Sequence, residues 1–398
     1  MPSVPTAPQT LRWALRRSGL DVETLRPKFK RIDSWLDGTG DPSLTQLRDF
    51  AKRTRTPLGL LMLPEPPSDE PGIADYRTAG DRQIDQPSPD LLETIQDVRQ
   101  RQAFMRDYRI EEGFEPLAFV GSIDVGSDVA GAAVRVRSDL SLAPDWNQRN
   151  GDAAAAYRSL KATLERAGVL VFQNGVAGRG TNRPLDPNEF RGFVLVDDVA
   201  PTIFVNVADG VNAKMFTLVH ETVHVWVGRE GIVGGQVTGG EENRNNDPDR
   251  LRIELYCNEV AGELLMPEVL TRDLWRSMSG RERTDFFNEG SRRFRCSPLA
   301  VARRAASLGL INDEAFFTFY RQQRETFAAR RKLRDEKPDK QSGGDFYTTT
   351  GSRLSPALTD AVSRLTAEGR MTYTEAYRLV GARGRAFDEL MRRRAGRR

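Results

Sequence analysis

Apolar residues recur at helical spacing through residues 10 to 63, in LRWALRRSGL, DVETLRPKF, RIDSWLDG, SLTQLRDFAKRTRT and PLGLLML, and predict a run of short helices. Pro57 interrupts the last of these, Pro64, Pro66 and Pro67 close the unit, and PEPPSDEPG makes a stiff polar connector. That places a domain boundary near residue 70. Beyond it, residues 89 to 108 carry the pattern of a long amphipathic helix, and residues 152 to 168 that of a second one stopped by Gly168. VLVFQN, FVLVDD and PTIFVN, rich in Val, Ile and Phe, predict three short strands. KMFTLVHETVHVWVG then runs without Pro or Gly to Gly228, the mark of a buried helix with a glycine stop. REGIVGGQVTGGEENRNNDPDR, with its glycines and Asn/Asp cluster, predicts an exposed loop or insertion. A second helix, LRIELYCNEVAGELLM, ends at Pro267; residues 281 to 335 are again helical and basic; DEKPDKQSGGD is a linker. The expected domains are 1–69, 70–335 and a small basic helical unit at 345–398, in keeping with a length too great for one ordinary core.

Composition narrows the classes. With 38% apolar and 29% charged residues and no apolar stretch near the roughly 20 residues a membrane span needs, a soluble protein is expected. The N-terminus also lacks the apolar centre of a secretory signal, so the expected location is the cytoplasm. Two cysteines, Cys257 and Cys296, build no disulfide framework and suit a reducing compartment. A net charge of +3 excludes a polycation that coats nucleic acid, yet residues 370 to 398 hold nine arginines against three acids. Arg392, Arg393 and Arg394 are therefore candidates for contact with phosphate or an acidic partner, the alternative being a solvated helix with a frayed end.

The chemistry is concentrated in HETVH. Two imidazoles four residues apart share one face of a helix, at a separation suited to a single zinc ion, so His220 and His224 are candidate metal ligands. Glu221, one residue after the first, can take a proton from a water that the metal acidifies and pass it to a leaving amine. With only two histidines in 398 residues, such a pattern arises by chance in fewer than roughly one chain in a thousand. The same count leaves no third histidine, so a carboxylate or a thiolate must complete the site.

The following helix offers Glu254, Cys257, Glu259 and Glu263. Glu254 and Asn258 are spaced i, i+4, so one helix face can supply both a ligand and a hydrogen-bonding partner for a ligating histidine. Cys257, three residues after Glu254, is a candidate inhibitory thiolate close to the metal, the alternative being a small apolar core residue. Tyr76, Arg77 and Tyr256 are candidate oxyanion stabilisers.

HETVH, followed thirty residues after His224 by ELYCNEVAGELLMP, resembles the ImmA/IrrE family of bacterial metallopeptidases, and ADYRT at 74 to 78 and the lead-in RGFVLVDDVAPTIFVNVADGVNAKMFTLVHE extend the likeness over about residues 70 to 310. In that family the second element reads approximately E-x-x-[AC]-N-x-x-A-x-x-L-L-x-P, and Glu254 falls on its zinc-binding glutamate, Asn258 on its asparagine. The resemblance implies an α+β, zincin-like metallopeptidase domain, a small twisted sheet plus the HExxH helix, with Zn2+ as cofactor. It implies a strand whose edge pairs with an extended substrate; FVLVDD or PTIFVN would be that edge.

Flanking this domain, residues 10 to 63 resemble an XRE-type helix-turn-helix, with a middle shortened to ten residues between Leu25 and Trp35, and FRCSPLAVARRAASLGLI, carrying Arg303 and Arg304, has a similar character. The family resemblance implies limited proteolysis of a helix-turn-helix repressor, and the flanking units are similar to the peptidases of repressor and protease pairs that control CBASS-type defence. Single-stranded DNA is a candidate activator acting on the basic surfaces. The rival class is a DNA-binding regulator or antitoxin-like module with a structural metal, against which an intact Glu221 argues.

Overall fold

The computed structural model describes residues 3–67, 87–178, 183–208, 211–233, 248–336 and 346–395. Tyr76 and Arg77 lie outside them. Residues 3–67 fold as predicted into short helices, α1 (Pro8–Ser18), α2 (Val22–Leu25), α3 (Ile32–Asp37), α4 (Leu44–Thr54) and α5 (Leu58–Leu61). Gly38 ends α3 at φ 76°, and Ser43 opens α4 through a capping box with Gln46. Leu11, Trp35, Phe50 and Leu61 are fully or almost fully buried in a core this unit shares with nothing else described. One ion pair, Arg55 to Asp90 at 2.9 Å, ties it to the next helix.

That helix, α6 (Pro89–Glu111), leads into α7 (Val129–Asp139) and α8 (Ala153–Arg166). The next elements are β1 (Leu170–Asn174), β2 (Gly192–Leu195), β3 (Thr202–Asn206), α9 (Val211–Val227), β4 (Gly231–Val233) and α10 (Pro248–Leu265). Four helices follow, α11 (Glu268–Ser277), α12 (Arg283–Phe294), α13 (Pro298–Ser307) and α14 (Asp313–Glu336). The chain ends in α15 (Phe346–Arg353), α16 (Pro356–Ala367), α17 (Tyr373–Val380) and α18 (Arg385–Ala395).

The architecture is α+β, a small sheet among many helices. Strand order is β1-β3-β2-β4, with β1 parallel to β3 and the other pairs antiparallel. Successive strand residues point to opposite faces, and both faces are covered, which is why these strands read as unbroken apolar runs. Val171, Val194, Ile203 and Val205 pack in one cluster with Met215, Leu218 and Val219 of α9. Leu170, Phe172, Phe193, Leu195 and Phe204 face the other way, into a cluster with α6 and with Leu354, Leu358 and Val362 of the C-terminal helices.

Two expectations are corrected. Neither FVLVDD nor PTIFVN is a free edge, because β3 lies between β1 and β2 while β2 is covered at Gly192, Phe193 and Val194 by β4. The second correction is β4 itself, which begins inside the segment read as loop. Three residues, the first a glycine, are too few to show a strand period, and only pairing with β2 orders them. Helix α7 also escaped the reading: its Ala132, Ala133 and Val136 pack against α10, but small residues give no marked apolar stripe.

Helix α9 ends where its sequence said it would. Gly228 sits at φ 71°, and a Cβ built on it would lie 2.8 Å from the Gly121 Cα. The close approach lets the segment before α7 cap the helix, Gly121 N donating to Val225 O at 3.1 Å and Ile123 N to Trp226 O at 2.9 Å. Gly228→Ala is expected to lower the unfolding free energy by about 2 kcal/mol or more, the left-handed backbone and the clash adding together. Urea denaturation of the two proteins measures this.

Candidate metal centre

His220 and His224 lie on α9 with no solvent exposure, side by side on the face turned to α10. Their Nε2 atoms are 3.0 Å apart. Glu254, one turn and a half into α10, brings Oε2 to 3.2 Å from His220 Nε2 and Oε1 to 3.4 Å from His224 Nε2. One donor atom from each of the three lies within 4.8 Å of the others. The remaining ring nitrogen of His224 donates to Arg229 O at 3.2 Å, so with a metal ion in place of the second ring proton Nε2 would offer its lone pair. Asn258 lies against His220, but its Nδ2 and His220 Nδ1 are both buried without a hydrogen bond. Turning this amide to present Oδ1 to Nδ1–H would supply the bond that commonly orients a ligating imidazole.

The donor set fits zinc. Two imidazoles and a carboxylate are ligands it takes in hydrolytic sites, and lone pairs converging at 3.0 to 3.4 Å repel unless a proton or a cation lies between them. Burial lowers the proton affinity of His220, whereas Cys257 and Glu254 outweigh burial and raise that of His224 well above its usual value, so the cluster draws in one positive charge, which a metal ion or a proton supplies. Burial alone would raise Glu254, but the facing His224 and His220 hold its carboxyl well below the usual range.

Glu221 points to the same conclusion. Both carboxylate oxygens are buried without a hydrogen-bond partner, and burial pushes this carboxyl well above its usual value despite His224 nearby. It needs a neighbouring positive charge to ionise. Gly192 makes its room: a Cβ there would stand 3.0 Å from Glu221 Oε1 and 2.7 Å from Thr217 Cγ2. Sequence reasoning passed over Gly192, although a glycine opening a strand is the available signal of close backbone approach.

Helix α10 is held by its far end. Its last carbonyls are buried, and each finds a side-chain donor: Arg137 for Glu263 O at 3.2 Å, Trp146 for Leu264 O at 3.2 Å, Asn147 for Leu265 O at 2.8 Å. Arg304 Nε donates to Met266 O at 3.1 Å, just past the helix, and its guanidinium pairs with the Glu263 carboxylate. Arg304 is thus 7% exposed and committed to the core, so the helix-turn-helix character of its segment does not extend to presenting this arginine at the surface. Its neighbour Arg303 lies 5.4 Å over the Phe316 ring.

The other sequence-predicted residues fall at varied distances from this centre. Cys257 packs against His224 with its thiol pushed up by burial, and it stands outside the three-donor group. Tyr256 points away to bond Ser127 Oγ at 2.7 Å. Cys296 is buried against Met266, Sγ to Sδ 3.7 Å. Arg394 meets Asp360 in a two-bond pair at 3.0 and 3.1 Å, while Arg392 and Arg393 both reach Glu389.

Residues 164–306 match the IrrE N-terminal-like domain of the M78 peptidases. The match runs from the last turn of α8 to the end of α13 and contains all four candidate residues, His220, Glu221, His224 and Glu254. It bears out the ImmA/IrrE resemblance over a shorter span than residues 70 to 310, and it supports a metallopeptidase. A domain of unknown function, DUF8813, matches residues 354–393. No curated protein matches the chain. No described helix is long and apolar enough to cross a membrane.

Glu254→Ala is expected to abolish stoichiometric zinc binding, and Asn258→Ala to weaken it about 10- to 100-fold, as loss of a ligand's orienting partner does. Competition with a chromogenic chelator measures both.

Proposed function

We propose that the chain is a zinc-dependent endopeptidase that carries out limited proteolysis of a regulatory protein. The observation that carries this reading is Glu221, a fully buried carboxylate with no partner of its own, one residue from His220 and beside the His220, His224 and Glu254 cluster. A structural metal site has no use for such a group; a hydrolytic one requires a base there.

Zinc held by His220, His224 and Glu254 would supply Lewis acidity, polarising the scissile carbonyl and drawing the pKa of an attacking water toward neutrality. Glu221 accepts that water's proton and returns it to the amine as the peptide bond breaks. Gly192 keeps the space in which the carboxylate changes protonation state. His224 is held in register by the Arg229 carbonyl. An extended substrate would pair with β4, the outer strand two residues beyond Arg229.

A helix-turn-helix repressor is the substrate class we favour, by family resemblance. The five-helix N-terminal unit, with a core of its own and one ion pair to α6, suits a module that presents such a protein to the centre. Activation by DNA through Arg392, Arg393 and Arg394 would have to compete with Glu389 and Asp360 for the same guanidiniums.

Glu221→Gln is expected to keep one bound zinc and to lower the cleavage rate by about 10^2- to 10^4-fold. Mass spectrometry of a repressor encoded beside the gene, incubated with each protein, reads the cut. Equal cleavage by the variant would remove Glu221 as the base, and no cleavage by either protein would leave the DNA-binding regulator with a structural metal.

A further inference from the structure

On the face of the sheet opposite the metal centre, α6, β1 and the C-terminal helices enclose a cavity of about 70 Å3. Phe172 and Phe204 contribute its apolar wall; Arg101, Arg353, Asn174 and Thr350 contribute polar groups. The Arg353 guanidinium is half-buried, and among the described residues it has no hydrogen bond or ion pair. Burial works against its charge and no facing acid offsets that.

The backbone around Arg353 is pinned on both sides. Lys161 Nζ donates to Ser352 O at 2.9 Å and Gln173 Nε2 to the same oxygen at 2.8 Å, its amide oriented by Tyr157 Oη at 2.9 Å. After Arg353, Ser355 caps α16 and donates its hydroxyl to Glu165 Oε2 at 2.8 Å. Five polar side chains thus fix the turn, while the one cation it carries is left without a partner. Arg101 is held too, its Nε donating to Leu379 O at 3.0 Å and its guanidinium lying 5.6 Å over Phe172. Asn174 Oδ1 accepts from Gly175 N and Val176 N, which leaves its Nδ2 as a donor, and Thr350 adds a hydroxyl. Asp97 also lines the cavity without offsetting the burial of Arg353, so among the described lining residues there are two guanidiniums and one carboxylate.

We propose that this cavity binds a phosphate group, with Arg353 as its principal anchor. Guanidinium matches phosphate oxygens two bonds at a time, and a ligand that only accepts hydrogen bonds suits a wall of donors. At roughly 10 to 15 Å3 per water, the space holds about five waters, enough for one phosphate and too little for a nucleotide. Because Arg353 closes α15 and the turn opens α16, a bound phosphate joins the C-terminal unit to α6 and the sheet.

The test is calorimetric titration of the full chain with inorganic phosphate and, separately, with glycerol 3-phosphate, at constant ionic strength. Saturable one-to-one binding is expected, weakened at least tenfold in Arg353→Gln and unchanged in Arg135→Gln on α7. Binding of the free ion alone assigns the site to inorganic phosphate; binding of both assigns it to phosphomonoesters as well. Should Arg353→Gln misfold, wild-type protein treated with phenylglyoxal decides: phosphate should slow modification of Arg353 at least fivefold, read by peptide mass spectrometry. Absence of saturable binding by either probe, equal affinity in Arg353→Gln, or unprotected Arg353 would overturn the proposal.

Discussion

Glu221 is a carboxylate with neither oxygen in water nor in a hydrogen bond, and the cost of such a group, of order several kcal/mol, has to be met by the rest of the fold. Helix α9 is accordingly enclosed on all sides. The sheet covers one flank with Val171, Val194, Ile203 and Val205, α8 and α10 cover others, and Gly121 and Ile123 bond its last turn. Trp226 stacks on Phe119 with ring centres 4.3 Å apart and donates to Asp139 at 2.9 Å. A helix so confined cannot rotate to bring Glu221 to water. The exposure it is denied is what leaves it reactive.

Confinement alone does not make a site; the second helix must arrive at a set height. Glu254 meets the two imidazoles because α10 is anchored where it ends, with Arg137, Trp146, Asn147 and Arg304 on successive carbonyls and the Arg304–Glu263 pair buried beside them. A buried ion pair of this kind adds little net stability, but losing either member strands a charge in the core. Its contribution here is register. These four donors come from three places in the chain, so α10 is located by α7, the segment before α8, and α13 together.

The sheet separates two environments. Residues alternating along β1 send Val171 toward the metal helix and Leu170 and Phe172 toward α6 and the C-terminal helices. The segment matched by DUF8813 therefore packs on the reverse of the same sheet, through Leu354, Leu358 and Val362, rather than standing apart as a tail. Arg392 and Arg393 pair with Glu389 on their own helix, and Arg394, just past the match, pairs with Asp360 of α16.

What the sequence determined by itself were the features that repeat with the period of one helix or strand: the N-terminal helices, the three apolar strands, and the i, i+4 relation that puts His220 beside His224 and Asn258 beneath Glu254. Glycine stops at Gly168 and Gly228 were legible for the same reason, since they act through their own backbone. The tertiary structure decided whatever depends on partners distant in sequence. It closed β2 with a three-residue β4, drew Arg304 inside, placed Cys257 against His224 yet outside the donor group, and made Gly192 the floor beneath Glu221. Apart from the glycine that opens β2, none of these leaves a local pattern, because a contact between residues far apart in sequence is set by packing and not by period.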